Sequence, residues 1–218
     1  MSLNLYFLRH GETEASITGG FCGTSDVDLT PEGVIMAEDF AAVYQAISWK
    51  AIFCSPMRRT IATAKPLCEL VGMEMQLRDG LKEIDFGEWE DKTPAEVNQT
   101  DHDRYVRWRS EPGWNAPPGG ERAIDIARRS SKVIEEIEAA YPNGNVLVVS
   151  HKATIRIMLC SLLGIDVGRY RDRINMPVAA VSVLEFCQQG PRLLKLSDRA
   201  HIKQQTHDNE PPLIVMNN

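Results

Sequence analysis

The sequence predicts an α/β fold: a mainly parallel central sheet flanked by helices on both faces, carrying a small helical and loop cap insertion. Three observations lead there. Short apolar runs without polar alternation recur along the chain, as strands covered on both faces require. Helical patterns separate these runs, which is the signature of parallel strands joined by crossovers. Residues 90–120, dense in charge, tryptophan and proline, interrupt the alternation and read as a cap on the sheet, not a second domain. With 218 residues, 43% hydrophobic and 25% charged, the composition is that of a globular protein and excludes disordered, collagenous and membrane classes. One domain over residues 1–199 is expected, followed by a weakly patterned tail at 200–218, partly disordered, in which Leu213-Ile214-Val215-Met216 is a candidate docking segment.

The elements follow in order. Leu3 to Leu8 is a strand ending at Arg9-His10-Gly11. Thr30-Pro31 supplies an N-cap and a proline at the first position of a helix to which Ile35, Phe40, Val43 and Ile47 contribute apolar residues. Ala51 to Cys54 is a second strand, and Ser55-Pro56 opens a helix with Ile61, Ala64, Cys68 and Val71 at helical spacing before Gly72 stops it. Beyond the cap, a long helix is expected over about 121–141, with Ile126, Val133, Ile137 and Ala140 inward. The turn Pro142-Asn143-Gly144-Asn145 leads into the strand Val146–Val149, which ends in Ser150-His151. Ala153–Leu163 is an apolar helix stopped by Gly164, and Val181–Phe186 with Leu193–Leu196 form a closing strand pair.

The formal charge of −6 and the pI near 5.4 argue against general affinity for nucleic acid or anionic membrane, while leaving room for a locally basic pocket. Five widely spaced cysteines without a C-x-x-C pair argue against a disulfide framework or zinc knuckle, with Cys54, Cys160 and Cys187 read as buried small hydrophobes. No secretory leader and no run of about 18 apolar residues is visible, so the expected location is cytoplasmic.

His10 and His151 each follow an apolar strand directly, at the carboxyl ends where an open α/β sheet binds ligands. Arg59 lies in the first turn of a helix that follows another strand, so a fixed cation and a helix N-terminus face the same rim. Gly11 ends the first strand and lets Arg9 and His10 approach one ligand. Two arginines, two histidines and helix N-termini make an anion pocket, and phosphate is its expected occupant. Arg58 reads as a solvated charge. For the acid that such a pocket needs, Glu83 has apolar neighbours that would bury a carboxyl and raise its pKa, with Asp85, Glu88 and Glu90 as competitors.

These residues fall in four motifs: Leu8-Arg9-His10-Gly11-Glu12-Thr13, Ser55 to Ala64, Leu81 to Trp89, and Val149-Ser150-His151. Together and in this order they resemble the histidine phosphatase superfamily, also called the phosphoglycerate mutase-like family, on its phosphatase side. The resemblance implies a phosphohistidine enzyme without metal or other cofactor. In it His10 is the nucleophile, Arg9, Arg59 and His151 hold the phosphate, and Glu83 is general acid and base. Ser16, Cys22, Gly23 and Lys152 are further candidate phosphate- or substrate-binding residues.

Three positions depart from the family's usual pattern: Ser16 in place of asparagine, Lys152-Ala153 in place of a glycine pair, and Arg122 in place of serine. Lys152 is either a solvated helix-start side chain or a fourth cation for a substrate with a second anionic group. Tyr105 and Trp108 share a helix face in the region expected to choose the substrate, with Arg104, Arg107 and Arg109 read as surface residues. The expected partner is a small phosphorylated metabolite, with a homodimer left open. The expected activity is phosphomonoester hydrolysis. A phosphoglycerate mutase, a metal hydrolase and a non-catalytic phospholigand-binding protein are the alternatives.

Overall fold

The computed structural model describes residues 2–203. Leu213–Met216 and the rest of the expected tail beyond residue 203 lie outside the described residues. Six strands form one sheet: β1 (Leu3–Arg9), β2 (Trp49–Cys54), β3 (Met75–Leu77), β4 (Gly144–Ser150), β5 (Val181–Cys187) and β6 (Gly190–Asp198), in the order β3-β2-β4-β1-β5-β6. The pairs β1–β4, β4–β2 and β2–β3 are parallel, whereas β5 runs antiparallel to both β1 and β6, so the sheet is mixed with a parallel centre.

Apolar runs without alternation arise because both faces of the central strands are covered. Leu5, Phe7, Val146 and Val148 point to one face, under α6 (Ala123–Ala140) and α7 (Lys152–Leu163). Leu8, Ile52, Leu147 and Val149 point to the other, under α2 (Pro31–Tyr44) and α3 (Arg58–Val71). Each such side chain, taken fully out of water, contributes about 1.5–3 kcal/mol. Thr30 caps α2 as read, its Oγ accepting from the Gly33 N–H at 3.0 Å with Pro31 at the first position.

Several boundaries and faces differ from the sequence reading. The strand β3 carries only three half-exposed residues and exists by pairing with β2. The helix α3 starts at Arg58, two residues after Pro56, and its N-cap Met57 offers no side-chain bond. In α2, Ile35 and Val43 face solvent, and Met36, Phe40, Ala41 and Tyr44 make the buried face. Ala140 is exposed, with Ile134 taking the inward place. Cys187 is only half-buried, in contrast to Cys54 and Cys160.

Residues 90–120 supply α4 (Pro94–Thr100) and α5 (His102–Ser110). Their inner faces meet Phe21 and Trp89 in a separate cluster with Val97, Tyr105 and Trp108, in which Trp89 and Trp108 stand edge to face with centroids 5.4 Å apart. Arg104, Arg107 and Arg109 are exposed on the outside of this layer. Two short helices, α1 (Glu14–Thr18) and α8 (Tyr170–Arg173), complete the rim. Ala200–Lys203 run back over α2, where the Lys203 N–H donates to Asp39 at 2.9 Å. No helix among the described residues is long and apolar enough to cross a membrane.

Candidate active site

Strand register brings the two histidines together. Arg9 on β1 pairs with Ser150 on β4, so the next residue of each strand, His10 and His151, emerges from neighbouring ends. The His10 N–H bonds the Ser150 carbonyl at 3.1 Å, and the two rings lie 5.3 Å apart between centroids. Both are buried.

Beside His10 the chain turns at Gly11, whose carbonyl lies 2.8 Å from His10 Nδ1. A carbonyl only accepts, so Nδ1 carries the proton and Nε2 keeps its lone pair. Burial, and after it the charges of Arg9 and Arg59, hold this ring well below its ordinary titration range. His151 is likewise pushed well down, by burial first and then by Arg59 and His10.

Arg59 enters from the first turn of α3 and is held at each of its three nitrogens. Its Nε bonds His151 Nδ1 at 3.1 Å, Nη1 the Ser25 carbonyl at 2.7 Å and Nη2 the Gly23 carbonyl at 3.0 Å. Arg9 Nη1 donates to the Met176 carbonyl, and the side chain is almost fully buried. Burial of two guanidiniums beside a neutral imidazole makes a site that attracts an anion.

Glu83 sits at the N-terminus of α7. Oε1 accepts from the Ile84 and Thr154 N–H groups and lies 3.0 Å from the Thr154 hydroxyl, which is nearer the Lys82 carbonyl at 2.7 Å, and Oε2 accepts from the Ala153 N–H at 3.0 Å. The apolar surroundings expected from sequence are therefore replaced by oriented donors, which hold the carboxyl in place. Of the four acids considered, Glu83 alone lines the cavity. Asp85 accepts from Gly87 N–H, Glu88 is exposed, and Glu90 is tied to the 23–25 loop by N–H groups of Gly23, Thr24 and Ser25.

The cavity has a volume of about 200 Å³, and Arg9, His10, Arg59, Glu83, Ser16, Cys22 and Lys152 all border it. Two expected ligands do not. His151 stands behind Arg59 with both ring nitrogens engaged, Nε2 facing Ser55 Oγ at 2.8 Å. Gly23 faces the other way: its N–H is bound by Glu90, and a Cβ there would lie 1.9 Å from the Ile84 carbonyl, so this glycine serves close backbone approach. Ser16 Oγ bonds the Thr13 backbone in a capping box at the start of α1. Burial raises the Cys22 thiol, which leaves it uncharged at the cavity edge. Arg122 is turned outward onto Asp125 at 2.7 Å, and Arg58 onto Asp28. No group of His, Cys, Asp and Glu among the described residues is arranged to hold a metal ion.

Residues 5–199 match the profile of the histidine phosphatase superfamily (branch 1). The chain belongs to this superfamily. Phosphoserine phosphatase 1 of Hydrogenobacter thermophilus is 30% identical over 200 residues, which cover 92% of this chain and 94% of that protein. The adenosylcobalamin/alpha-ribazole phosphatase of Escherichia coli is 27% identical over 199 residues, 91% of this chain and 97% of its own. A solved mycobacterial glucosyl-3-phosphoglycerate phosphatase superposes with a TM-score of 0.83 at 26% identity, covering 90% of this chain and 99% of that one. The histidine phosphatase fold and its phosphatase branch are thereby shown, and the chain is a phosphomonoesterase of that branch.

Within this histidine phosphatase, Trp108, from the region expected to choose the substrate, borders the cavity, and several other bordering residues escaped the sequence reading. Phe86 joins Trp108 in bringing the cap's aromatic cluster to the cavity. Arg156, Tyr170 and Arg171 close it from α7 and α8. Arg156 had a signal, since it stands four residues after Lys152 on a helix. Arg171 had none, lying in the run Arg169-Tyr170-Arg171-Asp172-Arg173, which reads as surface charge.

Proposed function

We propose that this phosphatase hydrolyses a small phosphomonoester through a phosphohistidine on His10, with Glu83 as general acid and base. The observation that carries this reading is the bond from His10 Nδ1 to the Gly11 carbonyl, which leaves Nε2 as a neutral, desolvated nucleophile. Nε2 attacks phosphorus and the ester P–O bond breaks, while the proton of Glu83 passes to the departing alkoxide. That proton belongs on Oε2, the oxygen with fewer donors. Water then attacks phosphorus as Glu83 takes its proton, the P–N bond breaks, and inorganic phosphate leaves with His10 neutral again.

Arg9 and Arg59, which border the cavity beside His10, support this reading: they would stabilise charge on the equatorial oxygens of the transferring group, and phosphoryl transfer asks chiefly for such positioning. The same guanidiniums would repel a divalent cation held by His10 and Glu83, so activity that survives strong chelation is expected. The deciding experiment is trapping. An acid-labile, base-stable phosphoryl label on His10 is expected, absent in His10→Ala; full activity in His10→Ala would sink the mechanism.

A further inference from the structure

The backbone that carries His10 is anchored on three sides. The His10 N–H donates to the Ser150 carbonyl of β4 at 3.1 Å, and the His10 carbonyl accepts from the Ala179 N–H at 3.1 Å. Both bonds join main chain to main chain, so a change of side chain leaves the partners in place. The third is different. The Gly11 N–H donates to Thr63 Oγ1 at 3.0 Å, across 52 residues of chain. Of these three anchors it alone depends on a side chain.

Thr63 is fully buried on α3, one turn beyond Arg59. Its hydroxyl proton goes to the Arg59 carbonyl at 2.7 Å, which turns an oxygen lone pair to the Gly11 N–H. A Cβ on Gly11 would lie 2.5 Å from the Gly33 carbonyl in the first turn of α2, so this turn needs glycine. Glycine by itself does not fix its torsions. The direction of the Gly11 carbonyl, 2.8 Å from His10 Nδ1, must therefore be set by anchors on either side of it. Thr63 holds the N–H before it, and the Thr30 N–H holds the Glu12 carbonyl after it, at 3.0 Å. Without the Thr63 hydroxyl a buried N–H would lack its acceptor, a loss that the turn can relieve only by moving.

We propose that Thr63 is a positioning residue for the nucleophile: its hydroxyl holds the Gly11 turn so that the Gly11 carbonyl keeps the proton on His10 Nδ1 and leaves Nε2 ready to attack. The same hydroxyl ties this turn to the backbone of Arg59, so nucleophile and cation share one reference point. The inference rests on the phosphohistidine reading above and names a further residue on which it depends.

The test compares Thr63→Val, which keeps the shape and removes the hydroxyl, with Thr63→Ser, which keeps the hydroxyl. Thr63→Val is expected to lower kcat about 10- to 100-fold, the scale of loss when a reacting group is displaced by about an ångström. Calorimetric affinity for inorganic phosphate should be little changed, because the three nitrogens of Arg59 keep their partners. Thr63→Ser should recover most of kcat. NMR shifts of the His10 ring nitrogens read the tautomer without turnover: the parent and Thr63→Ser are expected with the proton on Nδ1, and Thr63→Val with a mixture. Should Thr63→Val fold poorly, Thr63→Cys, whose thiol is a weak acceptor, takes its place with the same expectation. An unmoved tautomer in Thr63→Val overturns the inference. So does, where His10→Ala is inactive, a kcat that stays parental in Thr63→Val or that Thr63→Ser fails to recover. Full activity in His10→Ala with a moved tautomer refutes the phosphohistidine reading and keeps the placement of His10 by Thr63.

Discussion

Arg59 Nε and His151 Nδ1 lie 3.1 Å apart, with the guanidinium donating and the ring accepting. That direction of donation fixes the tautomer: the His151 proton is on Nε2, facing Ser55 Oγ at 2.8 Å. His151 thus acts on the anion pocket through Arg59, orienting its planar fork against the carbonyls of Gly23 and Ser25.

Arg59→Lys keeps the charge but replaces a three-point fork with one flexible ammonium. A loss in kcat/KM of about 100-fold is expected, in the range seen when an oriented transition-state donor is removed. Steady-state kinetics beside a thermal melt check it. A variant that melts like the parent and retains most of its activity would show that the fork's geometry is unimportant.

The histidines predict how stability depends on pH. His10 and His151 are both held well below 6.5 in the folded chain, chiefly by burial, while unfolding returns them to ordinary values. Below pH 6.5 the unfolded chain therefore binds protons that the folded one does not, so stability falls as pH drops from there towards the depressed native values. Above 6.5 these groups add no slope. The steepest loss approaches about 1.4 kcal/mol per pH unit for each ring. Denaturant titrations at pH 8, 7, 6 and 5 should be flat in this respect at first and then decline, with the decline shallower in His151→Gln.

Glu83→Gln preserves shape but sets an amide N–H₂ against the donors at the start of α7. At least one of the N–H groups of Ala153 and Thr154, which now meet separate oxygens, then loses its acceptor. A destabilisation of about 1–3 kcal/mol is expected, together with a fall in kcat of about 10²–10⁴ from loss of the acid. Leaving groups of low pKa need no proton, so the fall should be much smaller for p-nitrophenyl phosphate than for an alkyl ester. Equal losses on both would remove Glu83 from the acid role.

Glu90 governs the site at one remove. Its carboxylate accepts the N–H groups of Gly23, Thr24, Ser25 and Phe86, and the loop so held presents two carbonyls to Arg59. Glu90→Ala should cost about 2–3 kcal/mol by leaving those donors without their shared acceptor. It should also lower kcat/KM to the same extent for p-nitrophenyl phosphate and for an alkyl ester, which distinguishes it from Glu83→Gln. An unchanged melting point would sink this account.

Much of this site was legible because strand ends and helix starts are written locally. Apolar runs that stop at His10 and His151 needed only the knowledge that both faces of the sheet are covered. β3 was illegible for the opposite reason, since Met75, Gln76 and Leu77 have no pattern and are strand only through their register with Ile52, Phe53 and Cys54. The choice of Glu83 over Glu90 depended on which carboxyl meets the N–H groups of α7 and which meets the 23–25 loop, contacts across 70 and 67 residues of chain. The start of α3 was misplaced because Ser55 has the identity of a cap but spends its hydroxyl on His151. Arg171 stayed hidden since its partner ring, Trp108, belongs to the cap.

The return of Ala200–Lys203 over α2 has a bearing on how the chain is handled. His201 is 4% exposed and sets its ring edge-on against Phe40 and Tyr44, each 5.6 Å away between centroids. These two aromatics are part of the layer that backs β1 and β4, the strands that deliver both histidines. An affinity tag or fusion joined at residue 199 would strip that lid and leave a sticky aromatic pair on the surface, whereas one joined after Lys203 keeps it. Preparations cut short at the family's matched boundary are therefore expected to aggregate more and melt earlier than the longer chain, for reasons unrelated to the active site.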